Sequence, residues 1–354
     1  MFPPLTERQE YILSLVVQSH ITSGRPVGSK TLVDEFELDV SSATVRNEMA
    51  LLSDLGYVVQ LHTSAGRVPT VMGYRYFVQK LLGEFRLPYH EQQMISHQFH
   101  QARLDLSQWM QLAAAILARA SHGASFVTAP HPHPNRFKHI QLISTQGRLV
   151  LMIMVLFGGS VKQQMLTLAE PLSQAQLSTA ASRLNMLFEN AHHDDIAGRL
   201  HVLDTLEHEI ARLVMDSLRR ADERPFANIY RDGLVNILDD EGTRPAVRVL
   251  EERTLLANVL HETQTTDMRG VQVVIGGDGR WEELKDCTII LSRYGVMEQF
   301  TGTVAVIGPM RMPYGRNVAA VRYVAGLMSN FLGEYYLEAP RPETIDNDEV
   351  DISE

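Results

Sequence analysis

Three short helical patterns and a hairpin pattern follow one another in residues 6–75, and this series constrains the fold more than any other feature of the sequence. The first helix begins at Thr6, with Gln9 at the spacing of a capping box, and ends at Gly24. The later boundaries are a turn at 26–29, a helix start at 39–42, a helix from Ala43 to Leu55 closed by Gly56, and short strands at 57–60 and 67–68. Because helices this short are marginal alone, the segment is predicted to form one compact unit.

The third helix of this unit has one apolar and one polar face. Val45, Met49 and Leu52 recur at the spacing of a single helix face and are predicted to be buried. The opposite face then presents small and polar side chains, namely Ala43, Asn47 and Ala50, flanked by Thr44 and Arg46. In a DNA major groove, arginine can bind guanine, asparagine can bind adenine, and alanine can contact the thymine methyl group. Ser41 and Ser42, together with the free amides at the helix start, can bind a phosphate.

Three helices followed by a hairpin have the spacing of a winged helix-turn-helix, in which the third helix enters the major groove and the hairpin contacts the flanking backbone or minor groove. The candidate DNA contacts in and after the hairpin are His62, Thr63, Ser64, Arg67 and Arg75. All charged residues between 55 and 83 are cations, which gives this stretch a net charge of +3. A hairpin arginine such as Arg67 suits a narrow minor groove. The alternative is an ordinary solvent-exposed helix, on which arginine and asparagine are common.

Several motifs in this region, taken in order, resemble the signature of the HrcA family of bacterial heat-inducible transcription repressors. In the N-terminal region they are residues 5–9 (LTERQ), 26–29 (PVGS), 41–49 (SSATVRNEM), 55–57 (LGY), 62–70 (HTSAGRVPT) and 73–75 (GYR). The C-terminal half resembles the family more loosely, at residues 229–230 (IY), 233–234 (GL), 286–287 (DC) and 308–314 (GPMRMPY). Met310 departs from the threonine that is usual there.

The resemblance implies an α+β multidomain fold: an N-terminal winged helix-turn-helix and a GAF-like α/β domain with an inserted, mainly helical dimerising domain. The implied boundaries are 1–84 for the DNA-binding domain, 85–185 and 265–337 for the two parts of the GAF-like domain, 186–264 for the insertion and 338–354 for an acidic tail. It also implies a homodimer bound to an inverted-repeat operator of chaperone operons. Finally, it implies that a GroEL-type chaperonin maintains repressor activity.

The patterning after residue 84 predicts helices, then strands, then helices, then strands again. Residues 84–125 are strongly helical, and period-2 or apolar runs follow at 139–144, 148–157 and 161–168. Helical patterns return at 173–190, 197–221 and 246–261, strand patterns at 271–275, 288–292 and 301–307, and a final helix at 317–332. This order predicts one α+β domain interrupted by a mostly helical insertion, whose apolar residues in 186–264 are available for a dimer interface.

The overall charge is a poor guide to the partner. The 354 residues carry a formal charge of −10, which taken alone argues against nucleic acid. However, residues 338–354 contain seven acids and one arginine, so most of the excess belongs to a predicted disordered tail. The longest purely apolar run, from Leu149 to Phe157, has nine residues against the roughly 20 of a membrane helix. With no signal peptide pattern and a single cysteine, the chain is expected to be cytoplasmic and not to bind membranes.

An enzyme is the main alternative class. The adjacent residues His192, His193, Asp194 and Asp195 could bind a metal, but neighbouring positions on a helix point to different faces and no HExxH spacing is present. No metal site is therefore predicted, and the cluster is interpreted as a surface helix end. Since no nucleophile–base pair is identifiable, neither catalysis nor a cofactor is predicted.

The remaining motifs have structural interpretations. Residues 276–279 (GGDG) lack the spacing of a phosphate-binding loop and are predicted to be a turn. His131 and His133 alternate with prolines in a predicted loop, Cys287 is predicted to be buried, and Arg311 is a candidate interdomain contact. A ligand-responsive regulator stays open as a second alternative because GAF-like folds often bind small molecules.

Overall fold

The computed structural model describes residues 2–62, 66–102, 105–131, 134–157, 160–223, 228–238, 244–252, 256, 259–260, 270–276, 281–296 and 300–337. The predicted acidic tail at 338–354 lies outside these residues. The chain is a mixed α+β protein built from three parts. We call them the N-terminal unit (7–81), the insert (137–223) and the body, which comprises the elements between residues 89 and 128 and between residues 229 and 337. Within the described residues, no helix is both long and apolar enough to cross a bilayer.

The N-terminal unit follows the predicted order. Its elements are α1 (Glu7–Ser23), α2 (Ser29–Phe36), α3 (Ser42–Asp54), β1 (Val58–Gln60), β2 (Arg67–Pro69) and α4 (Val71–Tyr76), which continues as a π-helical turn to Leu81. The predicted capping box of Thr6 and Gln9 is present, and Gly24 and Gly56 both adopt positive φ at the helix ends. The α4 helix packs so closely on the hairpin that a Cβ at Gly73 would lie 2.1 Å from the Tyr57 carbonyl oxygen. Local signals therefore account for this unit.

A five-stranded antiparallel sheet forms the centre of the body. Its strands are β3 (Ala124–Thr128), β7 (Ile229–Asp232), β8 (Val271–Ile275), β9 (Cys287–Val296) and β10 (Phe300–Pro309), in the order β7-β3-β10-β9-β8. The body's helices are α5 (Tyr89–Gln101), α6 (Leu106–Ser121), α10 (Val235–Leu238), α11 (Arg244–Glu251) and α12 (Tyr314–Leu337). Side chains of one sheet face share a core with α6 and α12, and those of the other face share a core with α11. Cys287 is buried in that second core, as predicted.

The insert is a separate layer of one sheet and three helices. Its antiparallel sheet has the order β4-β5-β6, with β4 at Phe137–Gln146, β5 at Leu149–Leu156 and β6 at Val161–Thr167. The helices α7 (Gln174–Phe188), α8 (His193–Arg199) and α9 (Thr205–Glu223) cover one face of this sheet. Sheet and helices enclose a hydrophobic core that is distinct from the two cores of the body.

The structure corrects two predictions about the body and the insert. The helical stretch assigned to 84–125 ends at Ser121, and Ala124–Thr128 is instead a fully buried strand of the sheet. The predicted insertion boundary at 186 falls inside α7, whose residues pack in the same core as β4–β6. The insert therefore starts near residue 137 and includes a sheet, whereas β7, α10 and α11 belong to the body.

The N-terminal unit and the body share one continuous core. Tyr314 of α12 packs against Tyr74 and Phe77, with ring centroids 6.0 and 6.5 Å apart. The Tyr314 hydroxyl donates to the Met310 carbonyl at 2.6 Å. The orientation of the N-terminal unit on the body is thus set by buried aromatic packing rather than by a linker alone.

Candidate nucleic-acid interface

The α3 helix presents an exposed face of small and polar side chains. Val45, Met49 and Leu52 are buried as predicted, which turns the opposite face outward. Between Ser42 and Met49 the exposed side chains are those of Ala43, Arg46 and Asn47. In these first two turns the exposed face carries one cation and no acid, so it can approach the base edges of a duplex without charge repulsion.

The start of α3 is capped by its own serine. The Ser41 hydroxyl accepts a hydrogen bond from the Thr44 amide at 3.1 Å and lies 3.0 Å from the Thr44 hydroxyl. Ser41 is exposed, whereas Ser42, Thr44 and Ala50 are half-buried. The first-turn amides of α3 carry the partial positive charge of the helix dipole, which favours an anion at this position.

The hairpin is tied to the turn before α2. Gln60 pairs with Arg67 within the hairpin, and Val27 and Arg67 exchange two backbone hydrogen bonds of 2.8 Å. This second contact requires glycine at position 66, because a Cβ there would lie 2.5 Å from the Val27 carbonyl. The strand of the hairpin that begins at Arg67 is therefore held by backbone pairing on both of its sides.

The candidate residues in the hairpin differ in their exposure. His62 is exposed, and Arg67 is half-buried, with its Nε buried and unpaired among the described residues. Thr63 and Ser64 lie outside the described residues.

Arg75 has a different role from the predicted one. Its guanidinium donates two hydrogen bonds to the Ile275 carbonyl at the end of β8, from Nε at 3.3 Å and Nη2 at 2.8 Å. The side chain joins α4 to the sheet of the body, so it is directed towards the protein and not towards the face formed by α3. We therefore remove Arg75 from the proposed DNA contacts and assign it to the junction, by which we mean the contact between the N-terminal unit and the body.

Three exposed residues near α3 and the hairpin are not among the DNA contacts predicted from the sequence. Arg25 and Lys30 flank the turn that pairs with the hairpin, and both are exposed. Leu51, on the third turn of α3, is 48% exposed. The PVGS motif marks the turn in the sequence, but only its pairing with Arg67 shows that the flanking cations lie beside the hairpin.

The junction behind the hairpin contains a histidine, a tyrosine and an arginine. His20 Nδ1 lies 2.6 Å from the Tyr74 hydroxyl, and Arg311 approaches Gly24, which confirms Arg311 as an interdomain contact. Burial, and secondarily the charge of Arg311, lowers the pKa of His20, while burial raises the pKa of Tyr74. These residues line a cavity of about 340 Å³ between the N-terminal unit and the body.

The insert exposes an apolar sheet face. The side chains of β5 that point away from α7–α9 are as apolar as those in the core, and neighbouring strands add further apolar groups. The apolar members of this outer sheet face are Ile143, Leu149, Leu151, Ile153, Val155, Val161 and Met165. Val161 and Met165 are each 53% exposed, and no formally charged residue lies among the outward residues between 139 and 165 in the three strands. Such a patch is typical of a protein–protein interface.

Comparisons with known proteins agree on one family. Residues 107–318 match the model of the HrcA protein C terminal domain. The chain is 44% identical to the heat-inducible transcription repressor HrcA of Herpetosiphon aurantiacus, with 94% of this chain and 97% of that protein covered. It is 38% identical to the protein of the same name from Chloroflexus aurantiacus, with 98% and 99% covered.

A solved structure has a similar fold. A crystal structure described as that of a hypothetical protein superposes with a TM-score of 0.53 at 25% identity, covering 94% of this chain and 98% of that one. The similarity therefore extends over the N-terminal unit, the body and the insert.

Proposed function

The chain belongs to the HrcA family of heat-inducible transcription repressors, and we propose that it binds an inverted-repeat operator as a homodimer through a winged helix-turn-helix. The protein is a transcription repressor and not an enzyme. The observation that supports the binding mode best is the exposed face of α3, on which Ala43, Arg46 and Asn47 stand opposite the buried side chains.

In the proposed complex, α3 lies in the major groove. Arg46 binds guanine through O6 and N7, Asn47 binds adenine through N6 and N7, and Ala43 contacts a thymine methyl group. Ser41, Ser42 and the first-turn amides bind a backbone phosphate, with Thr44 and Ala50 at the edge of the contact.

The hairpin is the proposed wing. Its backbone pairing with Val27 holds the strands beside the turn before α2. We propose that His62, Thr63, Ser64 and Arg67 contact the backbone or the minor groove that flanks the α3 site. We add Arg25 and Lys30 as phosphate contacts because both are exposed next to the wing.

The homodimer forms, in this proposal, through the outer sheet face of the insert. One winged helix reads only a few base pairs, so a two-fold dimer on a palindrome is needed for specificity. The outer sheet face offers an uncharged apolar surface that a second copy can cover. We prefer this face to the helices between 186 and 264, since most apolar residues of α7–α9, although not Met186, pack in the insert's own core.

We propose further that the body is a GAF-like domain and that a GroEL-type chaperonin maintains repression. The five-stranded antiparallel sheet with helices on both faces supports the first statement. The second rests on the family alone. The expected logic is that unfolded protein titrates the chaperonin in heat and so relieves repression.

Selection of duplexes from a random pool tests the DNA-binding proposal. The selected duplexes should contain an inverted repeat, and in a gel shift they should bind at least about 10³-fold more tightly than scrambled duplexes of the same composition. Equal binding of scrambled DNA, or selected sites without two-fold symmetry, would refute the proposed binding mode. Adding the chaperonin should raise the DNA-binding-active fraction of the protein, and an unchanged active fraction would refute that part alone.

Light scattering on variants tests the dimer interface. Ile153→Lys places a charge in the outer sheet face and should yield monomers, whereas Arg212→Ala, a change at an exposed cation of α9, should leave the dimer intact. An Ile153→Lys protein that stays dimeric would place the interface elsewhere.

A further inference from the structure

The insert is joined to the body at a narrow neck. Asn135 lies just before β4, where the chain enters the insert, and Asp222 lies near the end of α9, where the chain leaves it. Asp222 Oδ1 accepts hydrogen bonds from the Asn135 amide and from its Nδ2, both at 2.8 Å. One carboxylate oxygen of Asp222 thus holds the two ends of the insert together. The other oxygen, Oδ2, takes no part in these hydrogen bonds.

That second oxygen meets two histidine nitrogens. Asp222 Oδ2 lies 3.1 Å from His192 Nε2 and 3.7 Å from His193 Nδ1, and the two nitrogens are 2.8 Å apart. The sequence predicts that His192 and His193 point to different faces of a helix. That prediction is wrong because His192 precedes α8 in extended backbone conformation, which brings the two rings to a centroid distance of 3.9 Å.

The three atoms form a triangle of the size found around a bound metal ion. A point about 1.9 Å from all three lies at its centre, close to the roughly 2.0–2.1 Å of zinc–nitrogen and zinc–oxygen bonds. The side chains of His192 and His193 are about one-fifth exposed, so solvent can reach the centre and supply a further ligand.

One proton serves this arrangement only in part, because His192 Nε2 lies within hydrogen-bond distance of both Asp222 Oδ2 and His193 Nδ1. The 2.8 Å edge between the two ring nitrogens admits one proton. If His193 donates that proton, the lone pair of His192 Nε2 faces the carboxylate of Asp222. If His192 carries it, the lone pair of His193 Nδ1 faces the same carboxylate. A cation at the centre interacts favourably with all three atoms.

The groups around the three side chains resemble those around metal sites. Histidine ligands commonly direct their other ring nitrogen to a carboxylate, and ligating carboxylates are themselves hydrogen-bonded. Asp194 lies near both outer ring nitrogens, with oxygens 3.6 Å from His192 Nδ1 and 3.4 Å from His193 Nε2, although its side chain is mostly exposed. Asn135, which is 5% exposed, provides the second feature by holding Asp222.

We propose that His192 Nε2, His193 Nδ1 and Asp222 Oδ2 bind a divalent transition-metal ion of the zinc class, which fastens the neck of the insert. The ion joins the start of α8 to the end of α9, and through Asn135 to the entry of the insert. Two imidazoles and a carboxylate favour Zn²⁺ over Mg²⁺, which prefers an octahedral shell of oxygens. The proposal is independent of how the protein binds DNA.

Titration of the metal-free full chain with Zn²⁺ tests the site. We expect one Zn²⁺ per chain by elemental analysis after desalting, and a higher unfolding temperature of the insert with Zn²⁺ but not with Mg²⁺. The variants His193→Gln and Asp222→Asn should bind Zn²⁺ at least 100-fold more weakly, since even changes in groups that only orient the ligands cost about 10–100-fold. His201→Gln, at an exposed histidine of the same insert, is the matched control and should bind like the wild type.

A spectroscopic measurement on the wild type covers the case in which a variant fails to fold. Co²⁺ bound by two imidazoles and a carboxylate should give intense visible bands that one equivalent of Zn²⁺ abolishes. The weak spectrum of hydrated Co²⁺, or the absence of tight Zn²⁺ binding by the wild type, would overturn the proposal. Equal Zn²⁺ affinities of wild type, His193→Gln and Asp222→Asn would do so as well.

Discussion

The N-terminal unit and the insert are attached to the body in opposite ways. The N-terminal unit has no core separate from the body, because residues of α1, α3 and α4 belong to the same hydrophobic cluster as α6, α12 and one face of the sheet. The insert has its own core and meets the body at a neck held by Asn135 and Asp222. The orientation of the proposed DNA-reading helix is therefore fixed by packing, whereas the placement of the proposed dimerising sheet depends, among the described residues, on the polar contacts of the neck.

The two modes of attachment matter for operator recognition. In the proposed dimer, two reading helices must be spaced to match two half-sites, and their spacing combines the rigid junction with the N-terminal unit and the neck of the insert. Variation in spacing between subunits is therefore expected to arise at the neck.

Tyr314→Ala should have the largest effect on stability. Removing a buried aromatic side chain costs about 3–5 kcal/mol, and here the loss falls on a core that two parts share. Hydrogen exchange should therefore accelerate in the N-terminal unit and the body together. Tyr314→Phe, which loses only hydroxyl contacts, should cost about 1 kcal/mol. If exchange in residues 7–81 is unchanged in Tyr314→Ala, the shared core does not couple the two parts.

Leu184→Ala tests the separate core of the insert. Leu184 is completely buried in the insert, so the substitution should destabilise it by about 3 kcal/mol. Exchange should accelerate in residues 137–223 and stay unchanged in residues 7–81. The control is Met186→Ala on the same helix, where the side chain is 79% exposed and the effect should be within about 0.5 kcal/mol. Faster exchange throughout the protein would show that the insert is not a separate cooperative unit.

Arg46→Ala and Asn47→Ala should change DNA binding without changing the core. Each is expected to weaken operator binding by about 1–3 kcal/mol and to relax base preference, since a bidentate base contact is lost. The unfolding temperature should match that of the wild type because both side chains are exposed. Arg212→Ala, an exposed cation in the insert, serves as the charge-matched control. Wild-type affinity in both α3 variants would mean that another face reads the DNA.

Arg67→Ala should have a smaller and different effect on DNA binding. A cation at the minor groove or backbone contributes to affinity on any sequence, so we expect weaker binding with little loss of base preference. The slope of log K against log salt should fall by about one. An Arg67→Ala protein with an unchanged salt slope but altered base preference would assign the residue to base reading instead.

Acidification provides the mildest test of the junction. The pKa of His20 is lowered in the folded protein by burial and by Arg311, so the unfolded state binds more protons below the ordinary pKa of about 6.5. The stability of the N-terminal unit should therefore decrease as the pH falls through this range, and His20→Gln should reduce that dependence. Hydrogen exchange in residues 7–81 at pH 7.5 and about 5.5 measures it; an equal pH response in both proteins would exclude His20 as a source.

The N-terminal unit was predictable because its signals are local. The caps at Thr6 and Ser41, the glycines at 24 and 56 and the buried face of α3 all depend on residues within one or two turns of each other. The exposed face that we propose to read DNA followed directly from that periodicity. By contrast, the hydrogen bonds of Arg75 to Ile275 and the backbone pairing of Arg67 with Val27 join distant segments, so no local pattern could predict them.

The body and the insert were less predictable for two physical reasons. The strand Ala124–Thr128 begins only three residues after the end of α6 at Ser121, and the left-handed position that closes α6 is occupied by His122, a residue type that rarely marks a helix end. The insert boundary and the pairing of His192 with Asp222 depend on which distant segments meet, and periodicity carries no information about that.

The strands that flank the insert are direct antiparallel neighbours, with Ser125 paired to Asp232 and Thr128 paired to Ile229. The whole of the insert therefore occupies the place of an ordinary hairpin loop in the sheet. A short turn could replace it without changing the order of the five strands, and the excised part would carry its own core. In evolutionary terms, an insertion at a loop can be acquired, exchanged or lost without disturbing the sheet, so the proposed self-association and the proposed DNA reading can evolve separately.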